Sequence, residues 1–256
     1  MRIIKRALAL ALCLGLLAGA CGADVIEDAA HGLFGSLDGT PLGRFGRLGA
    51  ISFHRTKNVS TLEGGAIVVN DGDLIDPVRW AIDKGTNRVE FDQRRVTSYE
   101  WVGPGSSWRM PDPAVALLSR RLATSEETQR RRHHAWDRYS VELSSWAETH
   151  GVRLPSVRDG VEHPAHLFWM VLPEGLPRER FVAHCAAQGV QTARHYGSLP
   201  ASRYGSRIRH PDDECPYSAQ LEDRLVRIPL HHELDDDHLD RVVAAVVTAP
   251  AALAEA

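Results

Sequence analysis

The sequence predicts a mixed α/β fold, and three observations lead to this prediction. Short apolar runs separated by glycine indicate strands in the first third of the chain. A long stretch with helical spacing occupies the middle, and strand and helix patterns then alternate to the end. The 256 residues, 43% of them hydrophobic, suffice for one large or two modest domains.

The charge pattern and the cysteines exclude several classes of protein. The formal charge is −3, with 30 basic and 33 acidic residues mixed along the chain, so we expect no nucleic-acid partner. The four cysteines form no Cys-x-x-Cys pair and give neither a disulfide framework nor a zinc site; they are Cys13, Cys21, Cys185 and Cys215. We therefore predict a reducing compartment and no metal.

The first 21 residues allow two interpretations. Lys5 and Arg6, the apolar run to Leu17 and the small residues before Cys21 resemble a secretory or lipoprotein signal. However, a buried strand is predicted directly afterwards, and the apolar run is short for a membrane span. We favour a packed helix over Ile3–Leu17 and a cytoplasmic location. Export of a lipoprotein anchored through Cys21, which would bind sugars or peptides, remains the alternative.

The first predicted domain, 1–111, contains sheet and loops. The pattern predicts strands at Asp24–Asp28, Gly49–Phe53 and Gly65–Asn70, the first of them buried. A helix follows over Leu74–Lys84 and ends at the turn-forming residues after it. The long polar and aromatic segment Val89–Met110 is predicted to be an ordered, functional loop.

The second half begins with the longest helical signal. Asp112 and Pro113 open it and Gly151 closes it, so we predict one connecting helix over 112–150. Its basic middle, Arg130–His134, is predicted to be a solvated face. The rest, 151–256, is predicted to form a small α/β domain with strands at 166–172, 191–196 and 225–230 and helices at 178–188 and 236–248.

Two chemically suggestive residues follow predicted strands. Asp28 comes after the first strand and Lys57 after the second. Pyridoxal phosphate chemistry needs a lysine amine to hold the cofactor's aldehyde and a carboxylate to keep the pyridine nitrogen protonated. Each residue alone has an ordinary explanation, since such an aspartate usually caps a turn and a lone lysine is usually solvated.

Three motifs taken together give a stronger signal. They read Glu-Asp-Ala-Ala-His from Glu27, Ser-Phe-His-x-Thr-Lys-Asn from Ser52 and Glu-Gly-Gly-Ala from Glu63. In this order they resemble the DegT/DnrJ/EryC1/StrS family of nucleotide-sugar aminotransferases, which depend on pyridoxal 5'-phosphate. The resemblance runs from about Ala23 to the end. It implies the type I fold of these enzymes, with an incomplete large domain and a small C-terminal α/β domain.

The resemblance also implies a role for each residue at a matching position. Asp28 faces the pyridine nitrogen, His31 lies near the phenolic oxygen, Ser52 lies at the phosphate, and Lys57 is the catalytic lysine that carries the cofactor. Ser107 stands where many relatives have an asparagine that reaches the phosphate in the neighbouring subunit. Serine keeps a hydroxyl donor but has a shorter reach.

The resemblance implies amino transfer from glutamate to a keto-sugar nucleotide, in a homodimer with shared active sites. Lys84–Arg88 and Gly105–Met110 look most like the transaminases that convert dTDP-4-dehydro-6-deoxyglucose to dTDP-4-amino-4,6-dideoxygalactose. One departure is Pro200, which replaces a histidine of the family segment that begins at His195.

The larger departure is at the front, where relatives have a long additional part. That part supplies the backbone contacts to the cofactor phosphate and the aromatic ring that stacks on the pyridine. We therefore expect weak cofactor retention, exposed sheet edges, and a truncated or mis-started gene product or one half of a split enzyme. The competing hypothesis is an inactive remnant that binds a full-length relative or nothing.

Overall fold

The structure is a computed structural model that describes residues 22–176, 178–208, 210 and 215–254. The helix predicted over Ile3–Leu17 lies outside the described residues. By its internal contacts the chain divides into two units. The first extends to Ser125 and includes Asp159–Pro164, and the second comprises Glu126–Arg158 and the chain from Ala165 onwards.

The first unit contains two small sheets. Its strands are β1 (Ile26–Asp28), β2 (Ser36–Leu37), β3 (Thr40–Pro41), β4 (Leu48–Ser52), β5 (Gly65–Val69) and β6 (Val161–Glu162). One sheet has the order β1-β4-β5, with β1 parallel and β5 antiparallel to β4. The other has the order β3-β2-β6 and is antiparallel. The three main strands therefore form where the sequence predicts them, whereas the second sheet is not predicted.

Strand β1 is not buried as predicted. Ile26 is 67% exposed, because β1 is an edge strand of its sheet among the described residues and pairs there with β4. The core of this unit lies around Ala29, Ile51, Phe53 and Val59. These residues come from the end of β4 and the loops after β1 and β4, so the core supports the loops that carry the candidate site.

The helices of the first unit are short. A 3₁₀ turn at Gly72–Leu74 leads into α1 (Ile75–Ile82), which is followed by α2 (Arg88–Asp92) and α3 (Asp112–Leu122). Asp71 caps the 3₁₀ turn by accepting a hydrogen bond from the backbone N–H of Asp73. Helix α2 lies at the start of the region predicted to be an ordered, functional loop, so the first part of that region is helical instead.

The predicted connecting helix over 112–150 is three helices. After α3 come α4 (Ser125–Glu142) and α5 (Ser144–His150). At both breaks a serine hydroxyl donates to a carbonyl three residues earlier, Ser125 to Leu122 and Ser144 to Val141, in each case within 2.8 Å. Such local bonds compete with continued helix, which explains the interruptions.

The second unit is an antiparallel sheet packed against helices. Its strands are β7 (Phe168–Val171), β8 (Ala193–Arg194) and β9 (Leu225–Ile228), in the order β7-β9-β8. Its later helices are α6 (Arg178–Ala187), α7 (Gly205–Ile208), α8 (Pro216–Glu222) and α9 (Asp236–Ala254). Tyr139, Phe168, Phe181 and Leu239 are fully buried in its core. The main strands and helices α6 and α9 match the sequence prediction, and α7 and α8 do not appear in it.

The basic segment of α4 is only partly a solvated face. Arg130 and Arg131 are exposed and pair with Glu127 of the same helix. Arg132, by contrast, is 4% exposed and donates to the carbonyl oxygens of Ala165 and His166 at 3.0 and 2.7 Å. The prediction is therefore wrong for Arg132, which ties α4 to the chain entering β7. No helix in the described part of the chain is long and apolar enough to cross a membrane.

Candidate active site

The candidate site lies at one edge of the sheet in the first unit. Because β1 and β4 are parallel, their carboxyl ends meet at the same edge. Asp28 ends β1 opposite Ala50, and Ser52 ends β4 two residues further on. Open α/β sheets bind ligands at the carboxyl ends of their strands, so this edge is the expected position for a ligand site.

Two neighbouring carboxylates of β1 hold two different loops. Asp28 Oδ1 accepts a hydrogen bond from the backbone N–H of Ala30 at 3.0 Å. Glu27 accepts from the backbone N–H groups of Gly43 and Phe45 at 2.7 and 3.0 Å. The structure thus gives Glu27 a positioning role for the loop before β4. Sequence reasoning missed this role, because nothing in the spacing links Glu27 to that loop.

Lys57 lies in a loop that is anchored on both sides. Its backbone N–H donates to the carbonyl oxygen of His54 at 2.9 Å, which forms a tight turn. Asn58 Nδ2 donates to the carbonyl oxygen of Pro164 at 2.6 Å, and Val59 is 2% exposed in the core. Further along, Thr61 N–H donates to the carbonyl oxygen of Phe53 at 2.8 Å. The position of the Lys57 backbone is therefore well determined by its neighbours.

The amine of Lys57 interacts with the carboxylate of Asp28. Partial burial lowers the pKa of Lys57 below its ordinary value, and the negative charge of Asp28 opposes this by raising it. The two groups thus affect each other electrostatically. A lysine whose pKa is lowered is neutral for a larger fraction of the time, and only the neutral amine is a nucleophile or a base.

The remaining residues at this edge are polar. Ser52 Oγ accepts a hydrogen bond from the backbone N–H of His54 at 3.3 Å. The ring of His54 lies 3.0 Å from Thr56 Oγ1 and 3.7 Å from a carboxylate oxygen of Glu63. His31 is exposed in the turn that follows β1.

Ser107 lies in a different part of the first unit. It is exposed and forms an isolated β-bridge with Asp83, just after α1. The contacts that hold Ser107 thus come from the segment around Asp83, whereas Asp28, Ser52 and Lys57 share the sheet edge.

Comparison with known proteins decides the family. Residues 14–247 match the model of the DegT/DnrJ/EryC1/StrS aminotransferase family. The chain belongs to this family. As a DegT-family protein it shows the predicted fold class, mixed α/β with the architecture of the sugar aminotransferases, and thereby confirms both the resemblance and the fold prediction.

Three relatives show how far the similarity extends. The spore coat polysaccharide biosynthesis protein SpsC of Bacillus subtilis (strain 168) is 26% identical over 235 residues, which cover 88% of this chain and 59% of SpsC. The aminotransferase TlmJ from Streptoalloteichus hindustanus matches with a TM-score of 0.80 at 24% identity, covering 94% of this chain and 62% of TlmJ. The PLP form of the sugar aminotransferase Spr1654 from Streptococcus pneumoniae matches with a TM-score of 0.76 at 22% identity, covering 90% of this chain and 58% of Spr1654. This DegT-family chain thus spans about 60% of the length of these relatives.

DegT-family aminotransferases depend on pyridoxal 5'-phosphate, and the residues at the sheet edge fit that cofactor. Asp28 offers a carboxylate suited to a protonated ring nitrogen, and Ser52 offers a hydroxyl suited to a phosphate oxygen. Lys57 offers an amine with a lowered pKa suited to the aldehyde.

Proposed function

We propose that this chain carries the catalytic lysine and the pyridine-facing carboxylate of a pyridoxal-phosphate-dependent sugar aminotransferase. The observation that supports this proposal is the pairing of Asp28 and Lys57 at one sheet edge, where each lies within electrostatic range of the other. Membership of the DegT family supports the same activity. Because the chain spans about 60% of its relatives, the activity of the whole enzyme is part of the proposal.

Each residue has a defined task in the proposed reaction. When bound, the cofactor supplies an electron sink for the substrate carbon that loses its proton. Asp28 would keep the pyridine nitrogen protonated through a charge-assisted hydrogen bond. Lys57 would hold the cofactor at rest and, once released, its neutral amine would take up the proton that leaves the substrate carbon. Ser52 would hold the phosphate, and His31 would lie near the phenolic oxygen.

The substrate proposal is more specific. The segments Lys84–Arg88 and Gly105–Met110 support dTDP-4-dehydro-6-deoxyglucose as the acceptor, glutamate as the donor and dTDP-4-amino-4,6-dideoxygalactose as the product.

The proposed partner is a second copy of this chain or a full-length relative. A cytoplasmic location completes the proposal, and cell fractionation tests it, since membrane-bound protein would favour the exported lipoprotein instead.

Reductive trapping tests the central assignment. The full chain is incubated with pyridoxal 5'-phosphate, reduced with borohydride, digested and analysed by mass spectrometry. We expect the pyridoxyl group on Lys57, with Lys84 unlabelled as an internal control. The Lys57→Arg protein keeps the positive charge and should lose both the label and the visible absorbance of the bound cofactor. A folded wild-type protein that labels Lys84 and not Lys57 would contradict the assignment.

A second candidate function is a catalytically inactive remnant of the family. The observation that favours it is Pro200, which stands where the family segment that begins at His195 has a histidine. A binding assay distinguishes the two. If the folded wild-type chain shows no cofactor absorbance alone but acquires it on addition of a full-length relative, the chain acts as one part of a mixed assembly. If it shows none in either case, the inactive remnant is correct.

A further inference from the structure

The turn that carries Lys57 projects from the loop between β4 and β5. At the base of this loop the Phe53 N–H donates to the Gly64 carbonyl oxygen, and the Arg55 N–H donates to the Leu62 carbonyl oxygen, each at 2.8 Å. These two bonds join the two sides of the loop. The turn that leads to Lys57 therefore begins directly after Arg55.

The next two backbone N–H groups both donate to one residue, His54. The Thr56 N–H donates to the ring nitrogen Nδ1 of His54 at 3.4 Å, and the Lys57 N–H donates to the His54 carbonyl oxygen at 2.9 Å. Thr56 Oγ1 lies 3.0 Å from the same ring nitrogen. Asn and Asp side chains form tight turns by accepting from the backbone two residues later, and the imidazole of His54 makes the equivalent bond here.

The contacts of His54 determine which ring nitrogen carries the proton. A backbone N–H can only donate, so Nδ1 must keep a lone pair that accepts from Thr56. In the neutral ring the proton therefore lies on Nε2. This nitrogen is 3.7 Å from a carboxylate oxygen of Glu63, and a negative charge favours a proton on the side that faces it. Both neighbours thus select the same form of the ring.

The two sides of Lys57 are held in different ways. After Lys57, Asn58 donates to the carbonyl oxygen of Pro164 at 2.6 Å and the next residue is buried in the core. Before Lys57, Arg55 and Thr56 are exposed, so burial does not fix their positions. The ring of His54 supplies the restraint on that side.

We propose that His54 is a positioning residue for Lys57, and that its ring, with the proton on Nε2, holds the turn so that the amine lies beside the Asp28 carboxylate. This inference rests on the proposed function, in which Lys57 carries the cofactor. His54 acts through the backbone of Thr56 and Lys57. If the turn loosens, the amine gains access to water and loses the partial burial that lowers its pKa.

Three substitutions of His54 separate this role from general stability. His54→Asn keeps an acceptor at the position of Nδ1, whereas His54→Gln moves its amide to about the position of Nε2. His54→Ala removes both. The side chain is 38% exposed, so we expect all three proteins to fold, and urea denaturation checks this. If the alanine protein fails to fold, the comparison of Asn with Gln still tests the role.

The main measurement uses the cofactor-free full chain. Each protein is acylated with acetic anhydride over a range of pH, and mass spectrometry gives the extent at Lys57 and at Lys84, the internal control. We expect the rate at Lys57 at neutral pH to fall about fivefold in the Gln and Ala proteins, as for loss of one ordinary hydrogen bond. The titration midpoint of Lys57 should rise in both. The Asn protein should match the wild type, and Lys84 should react equally in all four.

Borohydride trapping of pyridoxal 5'-phosphate gives an independent measurement on the same proteins. Labelling of Lys57 at a limiting cofactor concentration should follow the same order, with the Asn protein equal to the wild type and the Gln and Ala proteins about fivefold lower.

Several results would overturn the inference. If Gln restores Lys57 as well as Asn does, or if all three proteins react like the wild type, the acceptor at Nδ1 has no role. Equal changes at Lys57 and Lys84, or losses that only follow the unfolding free energy, would show a general effect on stability. A wild-type chain that takes no pyridoxyl group at Lys57, with the acylation differences intact, would instead overturn the proposed function and leave His54 as the residue that positions the amine.

Discussion

Two opposing effects act on the pKa of Lys57. Burial favours the neutral amine and the Asp28 carboxylate favours the ammonium ion, with burial the larger effect. Asp28 thus limits how far the pKa of Lys57 falls. The pair therefore sets the pH range over which the amine is reactive before any ligand is present.

This balance predicts the effect of Asp28→Asn on the cofactor-free protein. Removing the negative charge removes the influence that raises the pKa of Lys57, so the amine should become neutral at a lower pH. The rate of lysine acylation against pH checks this, with each modified lysine identified by mass spectrometry. The wild-type midpoint for Lys57 should lie below that of an ordinary lysine, and the Asp28→Asn midpoint lower still. An unchanged or higher midpoint after the substitution would show that Asp28 does not act on Lys57.

Tyr139 carries a second residue-scale prediction. Its side chain is fully buried, and its ring packs edge-on against that of Phe168, with 5.4 Å between the ring centroids. Its hydroxyl has no hydrogen-bond partner among the described residues. Burial also raises the pKa of Tyr139. Tyr139→Phe removes only the unpaired hydroxyl, so we expect unfolding free energy to stay constant or rise by up to about 1 kcal/mol. Tyr139→Ala should cost about 3–5 kcal/mol through loss of the ring.

Urea denaturation measures both Tyr139 variants. A loss of more than about 1 kcal/mol in the Tyr139→Phe protein would mean that the hydroxyl is paired in solution, for example with a buried water molecule.

At the scale of elements, Arg138 joins α4 to α9. Its guanidinium donates to Glu142 of its own helix at 2.6 Å and to Asp236 and Asp240 of α9 at 3.1 and 2.6 Å. Asp236 also lies in the first turn of α9, where a negative charge interacts favourably with the helix dipole. The same acid therefore serves both the helix dipole and the contact between helices.

Arg138→Met should weaken the second unit. The network is partly exposed, so we expect a loss of about 1 kcal/mol that shrinks in high salt. Arg130→Met is the control, because Arg130 pairs with Glu127 inside α4. Thermal unfolding at low and high ionic strength measures both. Equal effects of the two substitutions would show that the link to α9 adds nothing.

The helices also show where sequence reasoning succeeds. The proline start and the glycine stop locate the ends of the 112–150 region correctly, at Asp112 and Gly151, because both are local signals. Apolar spacing misses the breaks near Thr124 and Leu143, because side-chain bonds back to the helix leave that spacing unchanged.

At the scale of the molecule, the two units have separate cores. Ile51, Phe53 and Val59 belong to the first, and Phe168 with its neighbours belongs to the second. The described core of the first unit is the smaller. Each core is made by side chains of its own unit, so the two are expected to respond independently to damage.

Two substitutions test this independence. We expect calorimetry to resolve two unfolding transitions, the lower belonging to the first unit. Phe53→Ala should lower only that one and Phe168→Ala only the upper one, each costing about 3–5 kcal/mol. A single transition that both substitutions lower equally would show that the chain unfolds as one cooperative body.

The candidate site was predictable in part. The types and order of Asp28, Ser52 and Lys57 identify the sheet edge because parallel strands bring their ends together. In the segment 81–90, the sequence indicates only the turn-forming residues and not the buried polar contacts. Asp83 and Asn87 owe their importance to burial and to bonds with residues 11 to 26 positions away, which no local pattern records.

The backbones of Gly85 and Gly105 lie in close contact, and this contact determines which positions nearby tolerate substitution. Neither position has room for a methyl group, because backbone atoms of the other strand of chain lie too close. The local geometry is therefore set by backbone contacts. The side chains that point outwards from residues 98–109 contribute nothing to that fit. Natural variation or laboratory libraries can therefore exchange those outward side chains while both glycines are kept, and so alter what this surface recognises without refolding the protein beneath it.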